Sequence, residues 1–221
     1  MIKDKINQIL QEIEQIRKRN NLDYAIQLIA VTKYATIDQI KEVLAAGIFN
    51  LGESRVQDLL NKKAVLNDQR IKWHFIGNLQ TNKVKKLIEH VALIHSGSSI
   101  KLLSKINDEA KHLNRKVPVL LQINVAKEAT KSGFTIEDFL LNLPKIFSFE
   151  NLEIKGIMFI APYTKDEAVL TKYFVIVKNL YNLLKTSYNS ISELSTGMSS
   201  DYLIALNEGA TMIRIGSLLF N

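Results

Sequence analysis

The sequence predicts an α/β protein: a (β/α)8 TIM barrel preceded by an extra N-terminal helix. Three observations predict it. Strand-like and helix-like stretches alternate along nearly the whole chain of 221 residues. Several strand-like runs, such as Leu28–Val31 and Val117–Leu121, are apolar at successive positions, as parallel strands covered on both faces require. Eight such units in a chain of this length match the small end of the barrel size range. A doubly wound sheet is the other parallel architecture, but it usually carries a Gly-rich turn after its first strand. Here that turn reads Lys33-Tyr34-Ala35-Thr36, without glycine.

Residues 1–20 read as a helix, because Ile2, Ile6, Ile9, Leu10, Ile13 and Ile16 recur at three- and four-residue steps and form one apolar stripe. Strands are expected at Gln27–Thr32, Ile48–Leu51, Trp73–Ile76, Val91–His95, Val117–Asn124, Ile154–Phe159, Ser192–Leu194 and Thr211–Ile215. Helices fill the gaps at about 37–46, 55–66, 81–89, 99–113, 135–147, 165–186 and 199–207. No Pro/Gly/Ser-rich linker divides the chain, so residues 1–221 are read as one domain, with helix 1–20 packed on the barrel.

Composition narrows the function. Hydrophobic residues make up 47% and charged residues 23%, which permits a sizeable core. No apolar run approaches the roughly 18 residues of a membrane span, and the charged N-terminus lacks the apolar region of a secretory signal. The absence of cysteine excludes disulfides, thiol nucleophiles and cysteine-bound metals, and it fits a cytoplasmic protein. The net charge of +7 is compatible with an anionic ligand. Its densest cluster, Lys83, Lys85 and Lys86, lacks interleaved aromatics and reads as a solvated helix face, so no nucleic-acid partner is expected.

Chemistry concentrates at the two ends of the chain. At one end, Leu28-Ile29-Ala30-Val31-Thr32 stops at Lys33. A strand-end lysine is usually a surface residue, but at the carboxyl end of a barrel strand its amine could form a Schiff base with a carbonyl. At the other end, Ser195-Thr196-Gly197-Met198-Ser199-Ser200-Asp201 reads as a hydroxyl-rich loop opening a helix, with Ser199 or Ser200 as its cap. The last strand then ends in Arg214-Ile215-Gly216-Ser217. Barrels frequently seat phosphate on the loops after strands seven and eight, and strand eight neighbours strand one. An amine beside a phosphate seat suits a phosphorylated aldehyde, of which pyridoxal 5′-phosphate is the obvious one. Arg214 would face its pyridine nitrogen. A guanidinium only donates hydrogen bonds, so it would leave that nitrogen unprotonated and support carbanion chemistry weakly.

Several separated segments carry a family resemblance. They are Ala30-Val31-Thr32-Lys33, Leu51-Gly52-Glu53-Ser54-Arg55-Val56-Gln57, Trp73-His74-Phe75-Ile76-Gly77-Asn78-Leu79-Gln80-Thr81-Asn82-Lys83, the spaced set Asn124, Glu128, Lys131 and Gly133, and Gly156-Ile157-Met158. Together with Ser195–Asp201 and Arg214–Gly216 they resemble the YggS-type pyridoxal phosphate homeostasis proteins, whose fold is that of the N-terminal barrel of alanine racemase. The resemblance runs from about residue 25 to the end. It implies that Lys33 carries the cofactor as a Schiff base, that Arg214 faces the pyridine nitrogen, and that Ser195, Ser199, Gly216 and Ser217 help hold the phosphate. Met158 would line the ring pocket. Ser54 stands where the family usually has Asn, so its shorter side chain reaches less far toward the ring. The chain also ends at Phe220-Asn221, sooner than is common in the family, so its closing helix is expected to be short.

The resemblance implies a cofactor carrier or buffer without turnover, with apo-forms of pyridoxal phosphate enzymes as recipients; separately, a small barrel of net charge +7 is expected to be monomeric. The alternative is an amino-acid racemase, but a two-base proton exchange needs a group on each face of the cofactor, and only Lys33 is identified. A Schiff-base aldolase would place acidic residues near its lysine, and none flanks Lys33. His74, between Trp73 and Phe75, reads as a hydrogen-bonded core histidine. His90, His95 and His112 have no metal-ligand spacing and receive no role, so no metal is expected. Glu128 and Lys131 are expected to form a loop ion pair, and Tyr34 and Tyr163 remain open.

Overall fold

The structure is a computed structural model that describes residues 1–128 and 130–221. Helix α1 (Ile2–Arg19) leads, followed by β1 (Gln27–Val31), α2 (Ile37–Ala45), β2 (Asn50–Glu53), α3 (Val56–Leu66) and β3 (Lys72–Phe75). A 3-10 turn (Thr81–Lys83) runs into the one-turn α4 (Val84–Leu87), then β4 (Leu93–Gly97), α5 (Ile100–His112), β5 (Val117–Ile123) and α6 (Ile136–Phe147). The chain closes with β6 (Leu152–Phe159), α7 (Glu167–Ser187), β7 (Glu193–Ser195), α8 (Tyr202–Asn207), β8 (Met212–Ile215) and α9 (Ser217–Phe220). The strands pair in parallel in chain order, and β8 pairs back onto β1, so the barrel is closed. No helix among the described residues is long and apolar enough to cross a membrane.

Local chemistry sets the helix starts. Thr36 forms a capping box with Gln39 at the head of α2, and the hydroxyls of Ser99 and Thr135 accept from the N–H groups of Leu102 and Asp138. Asp166 caps α7 through Ala168 and Val169. The stripe of α1 buries Ile2, Ile6, Ile9, Ile13 and Ile16, each worth about 1.5–3 kcal/mol if fully buried on folding. This helix packs against α2, α8 and α9. Polar ties reinforce it, because Tyr202 donates to Glu12, Arg19 to Asn207 and Lys5 to the Asn221 carbonyl.

Four expected elements shift. β2 begins at Asn50 rather than Ile48, and it pairs with β3 from Asn50↔Lys72 through Glu53↔Phe75. Ile48 instead packs on the core from the turn after Gly47, whose φ is 87°. β4 likewise runs to Gly97, where no side chain marks the strand. The helix expected over 81–89 is a 3-10 turn plus a single turn, and α8 starts at Tyr202 rather than Ser199.

The core has two parts. Most apolar residues form one cluster, while Ile29, Leu93, Leu120, Met158 and Met212 form another. The second set comes from β1, β4, β5, β6 and β8, and strands on opposite sides of a barrel can touch only through its interior. Met158, 1% exposed, therefore belongs to the apolar plug inside the barrel.

Gly156 shows how tightly the ladder closes. Its φ is 151°, and a Cβ there would sit 1.8 Å from the Glu193 carbonyl oxygen on β7. The register between β5 and β6 shifts at this point, between Val119 and Leu120. Gly156→Ala is expected to destabilise the protein by about 3 kcal/mol, because the clash is with backbone that cannot rotate away. Urea unfolding at neutral pH checks it, and an unfolding midpoint within error of wild type would contradict it.

Candidate functional site

The carboxyl ends of the strands open into a cavity of about 690 Å³. Lys33 and Tyr34 from the β1 loop line it, with Ser54 after β2, Ile76 after β3 and Ile160 after β6. Met198, Ser199 and Ser200 line it from the β7 loop, and Arg214, Gly216 and Ser217 from the end of β8. Both chain ends therefore meet at one mouth.

The backbone beneath Lys33 is clamped. The Thr32 N–H donates to the Gly52 carbonyl at 3.0 Å, and its hydroxyl donates to Glu53 Oε1 at 2.6 Å. Lys62 Nζ reaches both the Thr32 carbonyl, at 2.6 Å, and Glu53 Oε1, at 2.7 Å. Glu53 is fully buried, so this ion pair is shielded from solvent, and breaking one side would strand a charge. Lys33 itself is exposed and makes no hydrogen bond or ion pair among the described residues; its amine lies 5.0 Å from the centre of the Tyr34 ring.

Arg214 forms the polar floor. It is 4% exposed, and it donates from Nη1 to Ser195 Oγ at 2.7 Å and from Nη2 to the Phe159 carbonyl at 2.9 Å. Burial lowers its pKa to about 10, against the opposing pull of Asp201, so it remains cationic at neutral pH. Asp201 is itself buried, which raises its pKa, while its bond from the Met198 N–H and the nearby Arg214 act the other way. Behind Ser195 stands His95, with Nδ1 2.9 Å from Ser195 Oγ, and then His74, with Nδ1 2.9 Å from His95 Nε2. His74 Nε2 lies 3.3 Å from Asn50 Oδ1. Burial, then the nearby Lys72, push His74 down to about 4. Burial first, then His74 and Arg214, push His95 well below its ordinary value, so both rings are neutral near pH 7.

The β7 and β8 loops are tied together by Ser199, whose hydroxyl accepts from the N–H groups of Gly216, at 3.3 Å, and Leu218, at 3.4 Å. This explains why Ser199 does not cap α8: its oxygen is already taken, and Asp201 holds the N-cap position instead. Among the described residues, the N–H groups of Ser199, Ser200 and Ser217 donate to no protein atom, so three backbone donors and several hydroxyls remain at this rim. Gly216 keeps the two loops close to β1, since a Cβ there would lie 3.3 Å from Val31.

The chain matches the family described as alanine racemase, N-terminal domain, over residues 5–221. A pyridoxal phosphate homeostasis protein of Synechocystis is 41% identical over 89% of this chain and 91% of the relative, and one of Aquifex aeolicus is 36% identical over 98% and 96%. This chain belongs to the alanine racemase N-terminal domain family, among its pyridoxal phosphate homeostasis proteins. The structure of PipY from Synechococcus elongatus with pyridoxal phosphate bound superposes with a TM-score of 0.87 at 33% identity, each chain covered in full. An alanine racemase of Clostridium difficile shares the fold alone, at 17% identity and a TM-score of 0.75, and this chain spans 55% of its length.

Six of the residues singled out from sequence, namely Lys33, Ser54, Ser199, Arg214, Gly216 and Ser217, line the cavity together. Ser195 and Met158 do not. Ser195 is fully buried with its hydroxyl between Arg214 and His95, and Met158 sits in the barrel plug. Glu128 and Lys131 pair at 2.8 Å, and Lys131 also donates to the Ala161 carbonyl. Sequence reasoning missed His95, Asn50, Glu53 and Lys62. His74 and His95 both stand within apolar strand runs, which is the one signal that hinted at inward partners. Among the described residues no three His, Asp or Glu side chains gather to hold a metal.

The buried histidines make stability pH-dependent. His74 titrates near 4 when folded and near 6.5 when unfolded, so the unfolded chain takes up the proton first. Its contribution is intact above pH 6.5 and disappears as pH falls toward 4, a loss on the order of 3 kcal/mol. Urea unfolding between pH 7.5 and 4 should show this slope, and His74→Gln should flatten it. An equally steep slope in the variant would count against the assignment.

Proposed function

We propose that the cavity holds pyridoxal 5′-phosphate reversibly on Lys33, and that the protein stores and releases this cofactor without turning over a substrate. The observation that carries the reading is the pairing, in one cavity, of an unengaged amine with a buried guanidinium held by two hydrogen bonds. The residues present fit the group. Lys33 supplies the amine for the aldehyde, and Arg214 supplies the donor for the ring nitrogen. Ser199, Ser217 and the backbone around Gly216 supply donors for the phosphate, and Val31, Ile76 and Ile160 give the ring apolar walls. When bound, the cofactor supplies an aldehyde that condenses with amines and a ring that can withdraw electrons from an adjacent carbanion.

The residues favour holding over turnover. Arg214 can donate but cannot accept a proton near neutral pH, so it leaves the ring nitrogen unprotonated and the electron sink weak. No Asp, Glu or His among the described residues lines the cavity, and the two tyrosines there, Tyr34 and Tyr163, are 84% and 94% exposed. Neither stands fixed over the cavity as a second base must. An exposed Lys33 lets the cofactor enter and leave through solvent. The reading carries with it a cytoplasmic location and apo-forms of pyridoxal phosphate enzymes as recipients, which are the proteins that need the cofactor.

Intact-mass measurement after incubation with pyridoxal phosphate and borohydride reduction is expected to show one adduct, mapped to Lys33 and missing in Lys33→Ala. The loaded protein in heavy water should leave the α-hydrogen of free amino acids unexchanged. An absent adduct in wild type would sink the cofactor assignment, and sustained exchange would replace storage with racemase-type chemistry.

A further inference from the structure

The polar residues inside the barrel fix one another's protons. A guanidinium has no acceptor, so at Ser195 it is Arg214 that donates. Among the described residues the Ser195 proton has one remaining neighbour, His95 Nδ1 at 2.9 Å, which must therefore be bare. The single proton of neutral His95 then sits on Nε2 and points at His74 Nδ1, 2.9 Å away. That atom must be bare in turn, and the His74 proton sits on Nε2, facing Asn50 Oδ1. The opposite polarity would leave the Ser195 proton unpaired in the barrel interior, at a cost of about 1–3 kcal/mol. Four hydrogen bonds thus run one way, from Arg214 on β8 across to Asn50 at the start of β2.

We propose that Ser195, His95, His74 and Asn50 are positioning residues, a one-way hydrogen-bonded chain that fixes the guanidinium of Arg214 for its meeting with the cofactor ring. The role of Arg214 rests on the proposed cofactor, whereas the chain is a property of the protein without it. A chain of this kind does what a single brace cannot. Ser195 alone could rotate its hydroxyl away from Arg214, but a fully buried serine whose proton is committed to a fixed imidazole has one orientation left. The rings are in turn held edge to face, with centroids 5.2 Å apart, so the His95 orientation depends on His74. Asn50 lines no part of the cavity, yet it supplies the acceptor that ends the series.

Nitrogen-15 NMR of histidine-labelled protein without cofactor, at pH 7, is expected to show His74 and His95 both protonated on Nε2. An Nδ1–H tautomer at either ring overturns the chain. With pyridoxal phosphate, Ser195→Ala is expected to weaken binding roughly tenfold, as the loss of a hydrogen bond to a charged group predicts. Ser195→Thr, which keeps the hydroxyl, should recover most of that loss. Asn50→Leu should shift the absorption maximum of the bound cofactor, a change that a purely structural role at that distance would not produce. Unchanged affinity in Ser195→Ala together with an unchanged spectrum in Asn50→Leu refutes positioning. Should wild type take up no cofactor, the storage function fails, and the tautomers alone decide the chain.

Discussion

The seam between β1 and β8 is the interaction on which the site depends. Its register pairs Gln27 with Met212, Leu28 with Ile213, Ile29 with Arg214 and Ala30 with Ile215. Arg214 is thereby turned into the barrel beside Ile29, and Gly216 reaches the rim beside Val31, two residues before Lys33. Side chains alternate along a strand, so a slip of one residue would turn Arg214 outward among the helices and leave an apolar residue at the floor. The amine and the guanidinium lie 181 positions apart in sequence, and only this closure makes them neighbours. Helix α1 reinforces it by packing on α8 and α9, the elements that flank β8.

Closure sets the geometry, and buried charge sets the chemistry. Barrel interiors are ordinarily filled by layers of branched apolar side chains. Here that filling extends through Ile29, Leu93, Leu120, Met158 and Met212, and beside it the interior turns polar, with His74, His95, Ser195 and Arg214. A second buried polar group, Thr32, Glu53 and Lys62, braces the strand that carries Lys33. Apolar residues of similar volume in such places are often neutral or stabilising, so neither group is explained by stability alone. Each instead stands directly behind one of the two cations that face the cavity, and each reduces the freedom of the backbone or side chain it touches.

The sequence made the barrel legible because its signals are local. Eight apolar runs with helices between them, the isoleucine stripe of α1, and a lysine and an arginine at strand ends need no knowledge of distant partners. The surroundings of Ser195, Met158 and His95 are not legible for the converse reason. Their neighbours come from strands remote in sequence, and the strand period says which residues share a face without saying which of them touch across the interior. Ser195 resembled a phosphate-loop hydroxyl, but it is the last residue of β7 and points inward at Arg214. The cavity lining begins three residues later, at Met198 and Ser199, where the proposed reading puts the phosphate. The late start of α8 has the same origin, since the Ser199 oxygen is claimed by Gly216 and Leu218 from the end of the chain. The displaced β2 has a different one: hydrophobicity drew the strand toward Ile48, whereas backbone pairing with β3 begins at Asn50 and runs through Gly52 and Glu53.

On the proposed reading the two cations divide the work between rigidity and access. Arg214 is buried, braced by a hydroxyl and a carbonyl, and backed by two neutral rings. Lys33 is exposed on a clamped strand end, beside two tyrosines turned to solvent. Catalytic sites that generate carbanions gain by closing over their substrate and excluding water. A site that must take up a cofactor and give it back gains from the opposite arrangement: a fixed floor that selects the ring, and an attachment point that water can reach. Both properties are present here in one cavity, so release through the open mouth leaves the buried recognition surface undisturbed.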